Sequence, residues 1–257
     1  MSTDRQAHSK DSFRGEPFGE IHRRGGAHDR ARRHSLSSTS SANIIPFTPA
    51  CRSKSAWLIL LVVFAIGLAL DLSTKSWAFR YVTEEPVELS YDDIAGNPSY
   101  RLPYHTGVKA LPWDLLDLRL VLNHGAVFGL GQQKRMVFIA FTIIAVTAAI
   151  WIFGWWTDAK NRVAHIGIGL VLGGGIGNLY DRLAFGAVRD FLFMTPRWHL
   201  PFGFHWPGGS TELFPWIFNG ADMMLLLGMA ILLINAQRQE ATPKAEKDSE
   251  APPASTQ

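Results

Sequence analysis

The sequence lacks the residues that several common kinds of site require. Its single cysteine, Cys51, excludes an internal disulfide and any metal site built from several cysteines. The His-Glu-x-x-His motif of zinc peptidases is absent, and His124 and His165 are isolated, so we expect no metal and no cofactor. No serine or cysteine has a visible base beside it. Basic residues are not interleaved with aromatics, which argues against nucleic acid as a partner.

Charge is scarce in the middle of the chain and concentrated at its ends. Residues 1–55 hold ten Lys/Arg and five Asp/Glu and include the low-complexity stretch RRHSLSSTSSAN. Such a composition cannot bury enough apolar surface to offset the entropy of ordering, so it predicts a disordered basic tail. Residues 237–257 predict a second disordered tail in the same way. Between the tails, residues 56–236 form a very apolar body.

Four apolar runs in this body are long enough to cross a bilayer, which needs roughly 20 residues. The second and third runs contain no Asp, Glu, Lys or Arg. No cleavage-site pattern follows the first run, so we expect it to stay as an anchor rather than be removed as a signal peptide. The predicted transmembrane helices are residues 57–79, 136–157, 163–180 and 213–236.

The distribution of basic residues predicts the orientation in the membrane. Ten of them precede Trp57 and place the N-terminus in the cytoplasm by the positive-inside rule. The mildly basic link DAKNR, residues 158–162, would then be cytoplasmic, and four spans return the C-terminus to the same side. The outer loop, residues 80–135, also holds six Lys/Arg, so the orientation depends mainly on the N-terminal tail.

The outer loop contains one strand-like stretch, LDLRLVLNHGAVFGL. Leu118, Leu120 and Leu122 alternate with other residues, and Gly125 and Gly129 follow. Alternation with period two predicts a short strand or hairpin near the membrane surface. This strand must lie outside the hydrocarbon, because an open sheet edge cannot be satisfied in lipid.

Acidic residues from separate spans fall at a similar depth. A helix rises about 1.5 Å per residue, so Asp71 lies roughly 21 Å and Asp181 roughly 27 Å from the cytoplasmic entry of their helices. If Pro215 opens the fourth helix, Asp222 lies only about 10 Å below the outer surface. Asp190 follows just outside the third span. Together these acids predict a polar pocket at the outer edge of a four-helix bundle.

Spacing within the helices adds detail to this pocket. Asn219 and Asp222 are three residues apart and share a helix face. Asp71 and Lys75 are four apart, so they can pair and lower the cost of burying each other. The glycines of GLVLGGGIGN let the third helix approach its neighbours closely, as small residues do in membrane bundles.

Two adjacent carboxyls can hydrolyse a peptide bond without a metal. They share one proton, so that one acts as a base toward water while the other polarises a carbonyl. Spacing alone leaves open which acids form the pair. Asp71 is discounted because it has a lysine partner, and Asp181 is expected in an ion pair with Arg182. Asp190 and Asp222 have no cation at helical spacing within a span.

Four blocks of the sequence resemble the lipoprotein signal peptidases (signal peptidase II), the intramembrane aspartyl peptidases of bacteria. In order, they are DLSTKSW (71–77), NHGAVFGL (123–130), GGGIGNLYDRLAFGAVRDF (173–191) and FNGADMMLLLG (218–228). They span most of residues 57–236, and both tails lie outside the resemblance.

This resemblance implies a function, a fold and a location. Such enzymes remove the signal peptide from prolipoproteins of the bacterial inner membrane, just before a cysteine that carries diacylglycerol. Their partners are therefore diacylated prolipoproteins and membrane lipid, with no nucleic acid. The implied fold class is an all-α membrane protein, with four transmembrane helices, a small extracytoplasmic β-cradle and a mobile periplasmic segment. No cofactor is implied.

The resemblance also assigns residues. The catalytic pair of the family matches Asp190, in VRDF, and Asp222, in FNGAD. The supporting residues of the family match Asp71, Lys75, Asn123, Gly174, Asn178, Asp181, Arg182, Asn219 and Ala221.

The chain departs from the family pattern at three positions near these blocks. His124 stands where the family usually has Thr, and Gly129 where Ser is common. Arg189 replaces an apolar residue before the catalytic Asp and is expected to lower the pKa of Asp190.

Two loops, residues 80–118 and 194–214, are longer than usual. The second is rich in Trp, Phe and His. Aromatic residues of this kind favour a position at the membrane interface, and a lid or partner-docking element is the alternative.

Two other classes of function fit part of the pattern. A small transporter or proton relay also places acids in a helical bundle, but here the carboxyls cluster at one surface and no inverted repeat is visible. A non-cleaving homologue that binds lipidated peptides would tolerate losses among the matching Asp and Asn positions, and all of them are present. A prolipoprotein signal peptidase remains the leading hypothesis.

Overall fold

A computed structural model describes residues 47–95, 97, 100–125 and 135–249, with side chains described as far as residue 239. Most of the predicted N-terminal disordered tail lies outside the described residues. So do Gly129 and the end of the predicted C-terminal tail.

Four long helices form the apolar body. They are α1 (Lys54–Tyr81), α3 (Arg135–Trp151), α4 (Arg162–Ala184) and α5 (Gly220–Ser249), while the short α2 (Tyr91–Ala95) lies in the outer loop. A π-helical turn over Ile152–Trp156 extends α3. Each long helix is long and apolar enough to cross a membrane, so the prediction of four apolar spans is confirmed.

The connections between helices supply a four-stranded antiparallel sheet in the order β1-β2-β3-β4. Its strands are β1 (Val108–Leu111), β2 (Leu116–Asn123), β3 (Val188–Met194) and β4 (Ile217–Phe218). The strand predicted around Leu118–Leu122 is therefore confirmed as part of β2. Because β3 follows α4 and β4 leads into α5, the sheet lies at the end of the bundle where these two helices meet.

Helix α4 is the central helix of the bundle. Its most apolar window is 61% buried, against 22% or less for the other three spans. Glycines make this position possible. A Cβ added at Gly174 would lie 2.4 Å from the carbonyl oxygen of Ala221 on α5, so only glycine allows the two backbones to approach this closely.

The fourth helix begins later than the sequence predicts. Its predicted start at residue 213, opened by Pro215, is wrong, because β4 pairs with β3 there and the helix begins at Gly220. Asp222 donates its backbone N–H to Asn219 Oδ1 at 3.1 Å, and Asn219 donates its own to Asp222 Oδ2 at 3.2 Å. This reciprocal pair has the form of a capping box and fixes the helix start.

Two other boundaries differ from the prediction. Helix α4 continues to Ala184, so Asp181 and Arg182 lie inside its last turns rather than beyond its end. Helix α5 continues to Ser249, into the segment that the sequence predicts to be disordered. That segment is rich in Gln, Glu, Lys and Ala, which have high helix propensity.

The long loop after β3 is a hydrogen-bonded hairpin. Leu213 donates its backbone N–H to Trp198 at 2.6 Å, and Leu200 donates to Thr211 at 2.8 Å. The tip carries Phe202, which is 95% exposed. The base of the hairpin enters β4 and so brings its aromatic side chains beside the start of α5.

Candidate active site

A buried cluster of two acids and two bases lies where α1, α4 and β3 meet, and is called the ion cluster below. Lys75 Nζ lies 2.7 Å from Asp71 Oδ2 and 3.2 Å from Asp181 Oδ2. Arg189 donates its Nε and Nη2 to Asp181 Oδ1, at 3.0 and 2.8 Å. All four residues are buried. The predicted Asp71–Lys75 pair is confirmed, and the cluster as a whole is neutral.

The predicted partner of Asp181 is wrong. Arg182 does not pair with it, because successive residues of a helix point in different directions. Arg182 instead donates Nη2 to the carbonyl of Gly125 at 3.1 Å and Nη1 to that of Asn178 at 3.4 Å. It therefore joins the end of α4 to the turn that follows β2.

The predicted effect of Arg189 on Asp190 is also wrong. Neighbouring residues of a strand point to opposite faces, so the guanidinium of Arg189 turns to Asp181 while Asp190 faces the other way. Burial and the charge of Asp222 raise the pKa of Asp190 to about 8. Hydrogen bonds from Asn123 and Asn219 act in the opposite direction without cancelling these effects.

Asp190 on β3 and Asp222 on α5 form the second pair of acids, called the carboxyl pair below. Asp190 accepts hydrogen bonds from the side-chain amides of Asn219 at 2.6 Å and Asn123 at 3.0 Å. Asp222 accepts from the amide of Asn178 at 2.9 Å and from the backbone of Asn219 at 3.2 Å. Among the described residues, neither acid has an ion-pair partner. All of these donors are uncharged.

Asn178 connects the two groups of acids. Its Oδ1 accepts from Lys75 Nζ at 2.9 Å and from Asn219 Nδ2 at 3.1 Å, while its Nδ2 donates to Asp222. The two bonds from cation and amide fix which end of the Asn178 side chain faces Asp222. The ion cluster thus positions the donors that hold the carboxyl pair.

Gly174 and Ala221 help to build the site through their backbone atoms. The absence of a side chain at Gly174 lets α4 contact α5 at Ala221. The backbone N–H of Ala221 donates to Asp71 Oδ1 at 2.8 Å, which ties the start of α5 to the ion cluster.

The carboxyl pair lines a cleft of about 1110 Å³ between the sheet, α5 and residues 100–105. Its apolar lining includes Met223, Leu226 and Met229 of α5 together with Phe214 and Trp216. A volume of this size accommodates an extended peptide segment. Within the described ranges, no three His, Cys, Asp or Glu side chains are grouped to hold a metal ion.

Sequence reasoning did not single out residues 100–105 as part of this cleft. His105 holds the segment against β2, since its Nε2 accepts the backbone N–H of Leu120 at 2.8 Å. Its Nδ1 lies 3.0 Å from the carbonyl of Pro103, so Nδ1 carries the proton. No periodic signal marks this segment in the sequence, because its contacts, such as those of His105 with β2 and of Leu102 with the apolar core, follow no repeating pattern.

A model of the family described as signal peptidase (SPase) II matches residues 63–238, which is more than half of the chain. The chain belongs to the signal peptidase II family. As a signal peptidase II it is a membrane protease, and the family resemblance inferred from the four sequence blocks is confirmed. Every residue of the ion cluster and of the carboxyl pair lies inside the matched stretch.

Individual relatives agree with the family match. This signal peptidase II is 29% identical over 189 residues to the lipoprotein signal peptidases of Yersinia pestis (strain Pestoides F) and Yersinia pseudotuberculosis serotype O:3 (strain YPIII). Each alignment covers 72% of this chain and 88% of the relative. The fold is similar to that of a bacterial membrane enzyme solved by the in meso method, with a TM-score of 0.52 and 22% identity over 71% of this chain and 90% of that one.

Proposed function

We propose that this signal peptidase II, which removes signal peptides from prolipoproteins, uses Asp190 and Asp222 as its catalytic residues. We also propose that it cleaves just before a cysteine that carries diacylglycerol. The observation that carries the catalytic assignment is the surroundings of the carboxyl pair. Asp190 is buried and Asp222 is half-buried, both beside one cleft, and both accept hydrogen bonds from amides with no ion-pair partner among the described residues.

The chemistry follows from a proton shared by the pair. In the first step the ionised carboxyl takes a proton from a water molecule, whose oxygen attacks the scissile carbonyl carbon. The protonated carboxyl donates a hydrogen bond to the carbonyl oxygen and so stabilises the tetrahedral intermediate. When the C–N bond breaks, the carboxyl that received the water proton gives a proton to the leaving nitrogen. The pair ends with one proton, as it began.

The supporting residues keep this pair in place. Asn123 and Asn219 aim Asp190 into the cleft, while Asn178 holds Asp222 and is itself fixed by Lys75. The ion cluster then has a positioning role, because its charges are neutralised by one another. Gly174, Ala221 and Arg182 act on the packing of α4 against α5 and the turn after β2.

The membrane arrangement is part of the same proposal. The peptidase domain is residues 56–236, both termini are cytoplasmic, and the sheet is an extracytoplasmic cradle at the outer surface of the bacterial inner membrane. The basic residues before Trp57 support this orientation. The exposed charged side chains of the outer loop support a position of the sheet outside the hydrocarbon, since charges are costly inside it.

Asparagine substitutions test the catalytic assignment. Asp190→Asn and Asp222→Asn keep the side-chain shape but remove the shared proton, so each is expected to lower kcat on the order of 10³-fold or more. Cleavage of a diacylglyceryl prolipoprotein in detergent micelles measures this. Asp114→Asn is the matched control, since that acid lies on the outer loop away from the cleft and should retain full activity. Full activity of either catalytic variant would reject the proposal, and loss of wild-type activity with a chelator would indicate a metal enzyme.

A further inference from the structure

The mouth of the cleft is basic. Arg101, Arg119, His105 and His124 line it, and the only acids along its described lining are the carboxyl pair itself. Arg101 and Arg119 are exposed. The guanidinium groups of Arg101 and Arg119 have no role in the hydrolysis step described above, so their position beside the carboxyl pair needs a separate explanation.

Arg119 lies on the same face of the sheet as the catalytic acid. Leu118 and Leu120 are buried in the core beneath the sheet, so Arg119 between them points to the opposite face and into the cleft. Val121, two residues further along β2, lies directly opposite Asp190. The register shifts between Leu118 and Val121, so Arg119 lies on β2 between the residues opposite Leu192 and Asp190.

The direction from Asp190 to Arg119 leads away from the membrane helices. β3 begins at Val188, just after α4 ends, and Val188 lies opposite Asn123. Arg119 lies toward the other end of β2, between Val121 and Leu118. The carboxyl pair therefore stands between an apolar floor formed by α5 and a basic rim.

Among the described residues, Arg101 and Arg119 have no acidic partner, unlike Lys109 of β1 and Arg197 of the hairpin after β3. Lys109 and Arg197 both pair with Asp114. Arg119 takes part in no ion pair among the described residues. The Nη1 of Arg101 donates only to the carbonyl of the adjacent Tyr100, at 3.1 Å. Two guanidinium groups are thus free to meet an anion from outside the chain.

We propose that Arg119, assisted by Arg101, selects prolipoproteins that carry an acidic side chain shortly after the scissile bond. This inference rests on the proposed function, because it takes the carboxyl pair as the point of cleavage. An apolar signal segment fits the floor formed by Met223, Leu226 and Met229, so the mature chain leaves across the rim. In an extended peptide, the second or third residue after the scissile bond lies about 7–10 Å beyond it, on the side of the cleft that Arg119 lines.

Three matched substrates test the selection. They are diacylglyceryl prolipoproteins with Asp, Ser or Lys at both the second and third residues after the scissile bond. Attraction between partly exposed charges is modest, so we expect wild-type kcat/KM to be about threefold to tenfold higher for the Asp than for the Lys substrate. The ratio should shrink toward one in 0.5 M salt, since exposed charges are screened there.

Variants of Arg119 supply the decisive readout. Arg119→Glu should reverse the order, so that the Lys substrate becomes the better one, and Arg119→Lys should preserve the wild-type order. Lys109→Glu is the matched control, because this exposed cation of β1 does not line the cleft and its loss should leave the ratio unchanged. A merely structural role for Arg119 would lower cleavage of all three substrates equally.

The outcomes separate this inference from the catalytic assignment. A wild-type ratio near one, or a ratio that Arg119→Glu leaves unchanged, overturns the selection by charge and leaves the catalytic assignment intact. The same cleavage assay in lipid vesicles tests a lipid as the anion. If cleavage there depends on Arg119 and on the anionic lipid content but not on the substrate charge, the rim binds a lipid headgroup and the proposal is overturned. Undiminished cleavage by Asp222→Asn would reject both.

Discussion

The ion cluster and the carboxyl pair lie side by side and share hydrogen-bonding partners, yet their acids have different surroundings. Asp71 and Asp181 each contact a cation, at 2.7 Å from Lys75 and 2.8 Å from Arg189. Asp190 and Asp222 accept only from amides in the contacts described above. Within one polar network, two acids form ion pairs with cations, and the other two accept hydrogen bonds from uncharged amides.

This difference indicates which acids are available for proton transfer. Asp71 and Asp181 each contact a buried cation, and removing either partner would leave the other charge buried and uncompensated. A carboxyl surrounded by neutral donors and a second carboxyl keeps a proton more easily, which agrees with the raised pKa of Asp190. The ion cluster therefore fits a positioning role and the carboxyl pair a chemical one.

Removing the central cation should have the largest effect on stability. Among the described residues, Lys75→Met leaves Asp71 buried without an ion-pair partner and Asp181 with Arg189 alone. We expect a loss of about 3–5 kcal/mol in the free energy of unfolding, the usual cost of breaking a buried ion pair. Unfolding in detergent measures it, with the exposed Lys109→Met as the control. Wild-type stability of Lys75→Met would contradict the description of the ion cluster as a neutralised unit.

A smaller effect on stability is expected at Asn219, one of the amides that contact the carboxyl pair directly. Asn219→Ala removes the 2.6 Å hydrogen bond to Asp190 and part of the cap on α5. We expect kcat to fall about 10- to 100-fold, as loss of an orienting hydrogen bond does in other active sites. The stability loss should be only about 1 kcal/mol, the usual value of a helix cap. An unchanged kcat would show that Asn219 does not orient Asp190.

The smallest effect is expected at the N-terminal tail. The family match begins at residue 63, and every residue of the site lies within it. Deletion of residues 1–46 should therefore leave kcat/KM for prolipoprotein cleavage within about twofold of the full chain, the limit of ordinary surface changes. A large loss would show that the tail takes part in cleavage.

The sequence predicts those features that depend on local pattern. The length of the apolar runs predicts the four spans, and period-two alternation predicts β2. The four-residue spacing in a helix predicts the Asp71–Lys75 pair. Similar depth brings Asp71, Asp181 and Asp222 to one end of the bundle. Each of these features can be read from a few neighbouring residues.

Long-range pairing is what the sequence does not reveal. Arg189, eight residues after Asp181, reaches it only because β3 folds back beside α4. The start of α5 depends on the pairing of β4 with β3, which displaces the helix that Pro215 would otherwise open. The basic rim joins Arg101 and Arg119 through a cleft whose walls come from separate loops.

The pH dependence of kcat/KM tests the shared proton most directly. With the pKa of Asp190 raised to about 8, the pair holds one proton at neutral pH. Raising the pH through about 8 removes that proton and should lower the rate, while acid protonates the second carboxyl and lowers it as well. We predict a bell-shaped profile with its alkaline limb near pH 8. A rate that stays constant from neutral pH to pH 10 would contradict a proton shared between Asp190 and Asp222.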